Sequence, residues 1–417
     1  MQTSLAQGIR DTPAGREAAA VIGKCVHCGF CLATCPTYRV LGDELDSPRG
    51  RIYLMKQVLE GKPATATTQR HLDRCLTCRA CETTCPSGVE YHALLDTGRA
   101  AVEAQVGRPP RERLLRAALR AVTRRRRLFS LLAALGRVFS VALPASLRRQ
   151  LIPPSSSSQR KLGSMDSGFR RNDRVARVLL LQGCVQPGLR PNINASATRV
   201  LARAGVETIE VPAAGCCGAL RFHLGAHADG LDDMRALIDA WWPQVEAGVE
   251  AIVITASGCG AQVRDYGRLL RHDPAYAERA ARVSALARDL AEVVEAHSGT
   301  LLASAPAPST TKVAFQSPCT LQHGQRVTGA VELLLKAAGY ELVPVRDGHL
   351  CCGSAGTYSI TQPELSRRLR ADKLAALEAG RPDVIVSANI GCITHLAAGT
   401  ERPVRHWIEL LDERLGP

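Results

Sequence analysis

The chain has 417 residues, 46% hydrophobic and 4% aromatic, which is enough for two or three ordinary domains and is not the composition of a disordered chain. Its net charge of +14 is concentrated: Arg108 to Arg149 holds twelve arginines against the single acid Glu112, so +11 sits in one element, which argues against a general nucleic-acid surface. Sixteen cysteines, no visible signal peptide in Met1 to Ala20 and no apolar run of about 18 residues are read as a cytoplasmic chain in a reducing compartment, where clustered thiols are metal ligands or redox groups.

The cysteines divide the chain. Residues 1–106 hold eight in two tight groups. Residues 107–175 hold none and read as a basic amphipathic helical connector followed by a Ser/Pro-rich and polar linker. Residues 176–299 and 300–417 share the other eight. The first group is Cys25-x-x-Cys28-x-x-Cys31-x-x-x-Cys35-Pro36, and the second is Cys75-x-x-Cys78-x-x-Cys81-x-x-x-Cys85-Pro86. Three cysteines at even short gaps wrap a tight loop around one corner of a cubane, and the proline turns the chain away after the fourth. A zinc site needs four ligands, usually as two pairs, and has no use for the third cysteine or the Cys-Pro step. Between the groups, Ile52, Met55 and Leu59 give Arg51 to Glu60 helical spacing, stopped by Gly61 and Pro63. Arg49 and Arg51 read as solvated surface ahead of the alternative, that they face cluster charge.

In the connector, Leu114, Leu115 and Leu119, then Leu128, Phe129, Leu131, Leu132, Leu135, Val138 and Phe139 alternate with arginines at helical spacing. Such a helix either lies on an anionic membrane surface or docks on a partner subunit or on the chain's own domains.

The last region is an internal repeat. Cys184 precedes Cys216-Cys217-Gly218 by 32 residues, and Cys319 precedes Cys351-Cys352-Gly353 by the same 32. A lone cysteine follows each pair, Cys259 after 42 residues and Cys392 after 40. Leu-Ala-Arg-Ala-Gly205 pairs with Leu-Lys-Ala-Ala-Gly339. Each lone cysteine follows a short apolar run (Val178–Leu181, Ala251–Ile254, Val313–Phe315, Val384–Val386) that reads as a buried parallel strand. Each half is then a small α/β unit with its cysteines at strand carboxyl ends, where open α/β sheets bind ligands. A metal or redox site, free buried cysteines and a vicinal disulfide are the readings of each set.

The two N-terminal runs resemble those of bacterial two-cluster ferredoxins. That resemblance implies two [4Fe–4S] clusters with exchanged fourth ligands: Cys25, Cys28, Cys31 and Cys85 on one, Cys75, Cys78, Cys81 and Cys35 on the other. The two halves of the last region resemble the cysteine-rich CCG domains of heterodisulfide reductases, which end in Cys-x-x-Cys. Here the endings are Cys259-Gly-Ala-Gln262 and Cys392-Ile-Thr-His395, so each half lacks one cysteine. His395 is the candidate substitute ligand, and Gln262 is a poor one. Over nearly its whole length the chain resembles the iron–sulfur subunits of bacterial glycolate oxidases. The close stretches run from Cys25 to Cys31, Leu41 to Arg51, Leu72 to Cys78 and Cys81 to Gly88; the polar insert near 153–174 is unmatched. The implied fold is a mainly helical two-cluster ferredoxin domain followed by a pseudo-duplicated α/β CCG region.

No G-x-G-x-x-G after a strand, P-loop, H-E-x-x-H or Ser/His/Asp set is present. Oxidation of a hydroxy acid needs an organic cofactor, normally flavin, so the resemblance implies an FAD-bearing partner, a chain inactive alone, and electrons leaving toward a membrane acceptor such as quinone. An equivalent subunit for D-lactate or glycerol-3-phosphate, a reductase acting at the CCG site on a disulfide or quinone, and a zinc-based nucleic-acid binder are the other readings.

Overall fold

In the computed structural model of the protein, residues 1–139, 145–151, 176–302 and 307–416 are described; the polar insert read at 153–174 lies outside them. The N-terminal region is helical. Its main elements are α1 (Pro13–Lys24), α2 (Phe30–Thr34), α3 (Pro36–Leu41), α4 (Pro48–Leu59), α5 (Ala80–Thr84) and α6 (Tyr91–Gln105). The expected helix at Arg51 to Glu60 is α4. It starts a turn earlier because Ser47 accepts a hydrogen bond from the Gly50 amide and Pro48 fills the first turn. Ile52, Met55 and Leu59 of α4 pack with Val21 and Ile22 of α1 and Leu94 and Leu95 of α6 in one buried cluster. At Gly98 a Cβ would lie 2.4 Å from the Met55 sulfur, so glycine there lets α6 cross α4 closely.

The connector forms α7 (Pro110–Arg124) and α8 (Arg126–Val138). Of the expectations for it, docking on the chain's own domains is observed. One side docks on the chain's own α/β region: Arg124 is 3.1 Å from Asp233, and the Arg137 guanidinium donates to the Gly188 carbonyl at 2.7 Å. The other leaves Leu114, Leu131, Leu132, Leu135, Val138 and Phe139 exposed, Val138 by 74%. Among the described residues, no helix is long and apolar enough to cross a membrane.

The α/β region contains two four-stranded, all-parallel sheets. The first has the order β2-β1-β3-β4, with β1 Ala176–Leu181, β2 Val206–Ile209, β3 Ala251–Ile254 and β4 Ala287–Asp289. The second repeats it as β6-β5-β7-β8, with β5 Lys312–Gln316, β6 Glu341–Leu342, β7 Val384–Ser387 and β8 Val404–His406. The four apolar runs of the sequence are the two central strands of each sheet, buried on both faces. Gly205 and Gly339, at φ +76° and +87°, each turn the chain from a helix into an edge strand. The chain is thus a mainly helical N-terminal region followed by a duplicated α/β unit.

The two halves share a core: residues from β1, β3, β5 and β7 belong to one apolar cluster. Helix α9 (Asn192–Arg203) packs against α12 (Trp407–Leu415), where Asp412 accepts from Ser196, Arg199 and Arg203. Helices α10 (Ser257–Arg264) and α11 (Ile390–Ala397) follow β3 and β7 and carry the last cysteine of each half.

Candidate metal centres

The two ferredoxin-type runs fold as copies of one loop. After the first cysteine, His27 and Gly29 take φ +56° and +87°; at the matching positions Thr77 and Arg79 take +54° and +60°. Left-handed backbone costs a non-glycine residue about 1–2 kcal/mol, and it turns amides inward: the Thr77 amide points at the Cys75 sulfur, 3.5 Å away. Arg79 is held in place by an ion pair with Asp265 of the first α/β half. Helices α2 and α5 carry Cys31 and Cys81 and pack on each other. Cys35 and Cys85 end them in extended conformation.

This geometry makes two hollows. Cys25, Cys28, Cys31 and Cys85 line the first, with Pro86, Ile52 and Arg49 beside them. Cys35, Cys75, Cys78 and Cys81 line the second, with Arg51 and Tyr91. Cys81 reaches both. The fourth cysteine of each run therefore lies with the first three of the other. The first hollow is near the surface: Cys28, Val26 and Phe30 are exposed. The second is deeper. Burial pushes its Cys78 and Cys81 thiols well above their ordinary value, and in the first hollow pushes Cys31 up to about 11. Thiolates crowded this way need a strong cationic centre to offset them, and iron–sulfur clusters supply it. All sixteen cysteines are free. The residues present fit two cubanes.

The setting of the second hollow corrects one expectation. Arg49 is partly exposed and paired with Glu44, as a surface residue should be, but Arg51 is only 1% exposed. The turn Glu44–Asp46 folds back over α4 and places Asp46 against it, 3.2 Å from the guanidinium. Asp43, Asp46 and His71 approach one another closely enough to suggest a cation site, but Arg51 and Arg74 already occupy the Asp46 oxygens. The Cys35 sulfur lies 3.3 Å from the Thr37 hydroxyl, and the Tyr91 hydroxyl 3.7 Å from the Cys75 sulfur. Thr37, Asp46 and Tyr91 went unread in the sequence, because nothing in local spacing marks which polar residues turn toward a cysteine or a buried arginine.

In the α/β region the eight cysteines form two groups at the carboxyl ends of the strands. In the first half, Cys184 follows β1, Cys216-Cys217 follow β2, and Cys259 is on α10. The free thiols hydrogen-bond in series, Cys184 with Cys216, Cys216 with Cys217, and Cys217 with Cys259. Bonds from Cys184 and Cys217 hold Cys216 well below its ordinary pKa, aided by Arg221. The second half repeats the series through Cys319, Cys351, Cys352 and Cys392, with Cys319 and Cys351 sulfurs 3.8 Å apart. The glycine after each pair is obligatory. A Cβ at Gly218 would lie 2.5 Å from the Gly230 carbonyl oxygen, and one at Gly353 2.7 Å from that of Ser366, with both residues at φ above +80° or equal to it. Gln262 and His395 are both buried. The His395 ring has its contacts with Ser366, 3.3 Å away, and with the Cys352 backbone, so it braces the cysteine pair.

The ferredoxin-type region is clamped between the two halves. Arg268 is 3.1 Å from Asp96, and Arg271 is 2.7 Å from Glu17. On the other side Thr83 and His323 lie 2.9 Å apart, and the Tyr358 hydroxyl donates to the Arg74 carbonyl at 3.1 Å. The two cysteine groups of the α/β region are not equivalent in this clamp. Cys78 packs in one apolar cluster with Leu76, Cys319, Cys351 and Tyr358, so the second group borders the second hollow. A cavity of about 500 Å³ lies between α6 and the first half. Its acids Asp73, Asp96, Glu103 and Asp229 are all paired with arginines, so it is a polar seam.

A 4Fe-4S dicluster domain matches residues 21–89, and a cysteine-rich domain matches 178–264 and 313–397. The chain is 52% identical to the glycolate oxidase iron–sulfur subunit of Escherichia coli (strain K12), over 100% of this chain and 99% of that one. It is 32% identical to the probable glycolate oxidase iron–sulfur subunit of Bacillus subtilis (strain 168), over 91% of this chain and 89% of that one. It is 25% identical to lactate utilization protein A of Bacillus licheniformis, over 57% of this chain and 100% of that one.

Proposed function

Because this chain belongs to the family of glycolate oxidase iron–sulfur subunits, we propose that it is the electron-relay subunit of a glycolate-oxidising complex, inactive on glycolate alone. A partner subunit carrying FAD takes two electrons and two protons from glycolate, releasing glyoxylate, and returns the electrons one at a time. When bound, [4Fe–4S] clusters supply reversible one-electron chemistry. The chain holds them with Cys25, Cys28, Cys31 and Cys85 at the first hollow and Cys75, Cys78, Cys81 and Cys35 at the second. The observation that carries this reading is the pair of four-thiol hollows side by side in one helical domain.

The cysteine groups of the α/β halves are proposed as further iron–sulfur or redox sites: Cys184, Cys216, Cys217 and Cys259, then Cys319, Cys351, Cys352 and Cys392. The second group adjoins Cys78 and is the better placed to pass electrons outward, toward a membrane quinone. The experiment is low-temperature EPR on the anaerobic native complex before and after glycolate. Reduced [4Fe–4S] signals with glycolate alone are expected. Signals with dithionite but not glycolate would leave the relay standing and remove the substrate; D-lactate is then tested next, since part of the chain is similar to a lactate utilization protein.

Attachment to the cytoplasmic membrane surface is assigned to the exposed face of α7 and α8. Leu131, Leu132, Leu135 and Val138 stand out beside a run of four arginines, Arg124 to Arg127, which suits an anionic bilayer. Serine at those four apolar positions is expected to release the protein from vesicles containing phosphatidylserine. Equal sedimentation of variant and wild type with those vesicles would remove the membrane assignment.

A further inference from the structure

Arg51 is a charged residue with no access to water. It sits within α4 with a side chain 1% exposed, and its carboxylate partner Asp46 is 0% exposed. Burying an ion pair costs several kcal/mol per ion unless geometry and extra hydrogen bonds compensate, and here they are present. Its Nε donates to the His71 carbonyl at 2.7 Å, and its Nη2 to the Thr37 hydroxyl at 3.1 Å and to Asp46 at 3.2 Å. Arg74 donates to the other Asp46 oxygen at 2.8 Å. Two guanidiniums thus face one carboxylate, and the assembly keeps a net positive charge.

That charge is directed at one hollow only. Arg51 lines the hollow of Cys35, Cys75, Cys78 and Cys81, and Thr37, which it engages, also touches the Cys35 sulfur. Cys75 and Cys35 line that same hollow beside the guanidinium. The neighbouring residue Ile52 lines the other hollow with an aliphatic side chain, and Arg49 there is partly exposed and matched by Glu44. A buried charge is screened far less than an exposed one, so the two hollows differ in potential although their cysteines are laid out alike.

We propose that Arg51 sets the redox order of the two clusters. Its positive charge favours the reduced, more negative state of the cluster at the second hollow. That cluster is then the higher-potential member of the pair, and an electron delivered at the exposed first hollow is drawn inward, toward the cysteine group beside Cys78. Net charge and local hydrogen bonding are the levers by which a protein tunes such clusters. The inference rests on the two-cubane reading above.

The test is EPR-monitored redox titration of the full complex carrying Arg51→Met, Arg51→Lys or Asp46→Asn. Arg51→Met removes the cation at nearly constant length and is expected to lower one cluster's midpoint, shifting electron exchange between the clusters by about tenfold or more, which is about 59 mV for a one-electron couple. Asp46→Asn removes the counter-charge and is expected to move the same cluster the opposite way. Arg51→Lys keeps the charge and stays near wild type. Opposite shifts confined to one cluster support the proposal. Equal shifts of both clusters, shifts of the same sign, or no shift overturn it. If Arg51→Met fails to load iron, a raised midpoint of one cluster in Asp46→Asn with Arg51→Lys near wild type supports the proposal, and an unshifted or lowered midpoint in Asp46→Asn overturns it. Absence of any cubane signal from the wild-type protein would instead sink the two-cubane reading itself.

Discussion

Cys35→Ala is expected to empty the second hollow and leave the first intact, although Cys35 lies in the first cysteine run. Its sulfur lines the hollow shared with Cys75, Cys78 and Cys81, while the first run's other cysteines line the one completed by Cys85. Iron and acid-labile sulfide measured on a set of doubles make the outcome decisive. Cys35→Ala and Cys75→Ala act on one site, so their double should lose no more than either single. Cys35→Ala with Cys25→Ala should lose the iron of both cubanes. Effects on a shared site are non-additive and effects on separate sites add. The reverse pattern, with Cys35 and Cys25 behaving as one site, would sink the crossed grouping and return each run to its own cluster.

The stability cost should follow the iron. The second hollow gathers Cys78 and Cys81, whose thiols burial holds well above their ordinary value when nothing offsets them. A metal centre that takes up such thiolates contributes its binding free energy to folding. The second hollow also closes the seam with the second α/β half, through Leu76, Cys319 and Tyr358. Emptying it is therefore expected to loosen that seam, seen as faster proteolysis between the helical and α/β regions, whereas Cys25→Ala should leave the seam protected.

How much of this was legible beforehand depends on the range of the interaction. The cysteine spacing at Cys25–Cys35 and Cys75–Cys85 is local, and it named both cluster loops. The apolar runs at Val178–Leu181, Ala251–Ile254, Val313–Phe315 and Val384–Val386 are long enough to read because central parallel strands are apolar on both faces. Edge strands β4 and β6 are three and two residues long, too short for any periodicity. Arg51 was misread because charge normally marks solvent; what buries it is Asp46 and the His71 carbonyl, brought in by the turn before α4 and the chain after it. Tyr358, which reaches the Arg74 carbonyl, is 284 residues away from it in sequence. No local pattern carries such a contact.

His406 is expected to make the junction between the two α/β halves acid-sensitive. It is the N-cap of α12 and is fully buried: its Nδ1 accepts from the Ile408 amide, leaving Nε2–H to donate to the Thr255 carbonyl of the other half at 3.0 Å. The bond to Thr255 survives protonation, but the bond from Ile408 needs the neutral ring, because a protonated Nδ1 cannot accept. Burial pushes its pKa down from 6.5 to about 4. The unfolded chain therefore takes up a proton that the folded chain refuses between those values, so stability is full above pH 6.5 and falls as the pH drops toward 4. A gap of that size corresponds to about 3 kcal/mol. Its counterpart in the first half works in the opposite sense. Asp289, the N-cap of the helix after β4, is pushed by burial from 3.8 to about 7, so its folded form gains a proton first and gains stability on acidification. The signature of each group lies in differences between wild type and variant. The unfolding free energy of wild type minus His406→Asn is expected to shrink by about 3 kcal/mol between neutral and mildly acid pH, while wild type minus Asp289→Asn should grow over the same interval. A difference for His406→Asn that stays constant with pH would mean that the ring is not held neutral, and that the junction tolerates its charge.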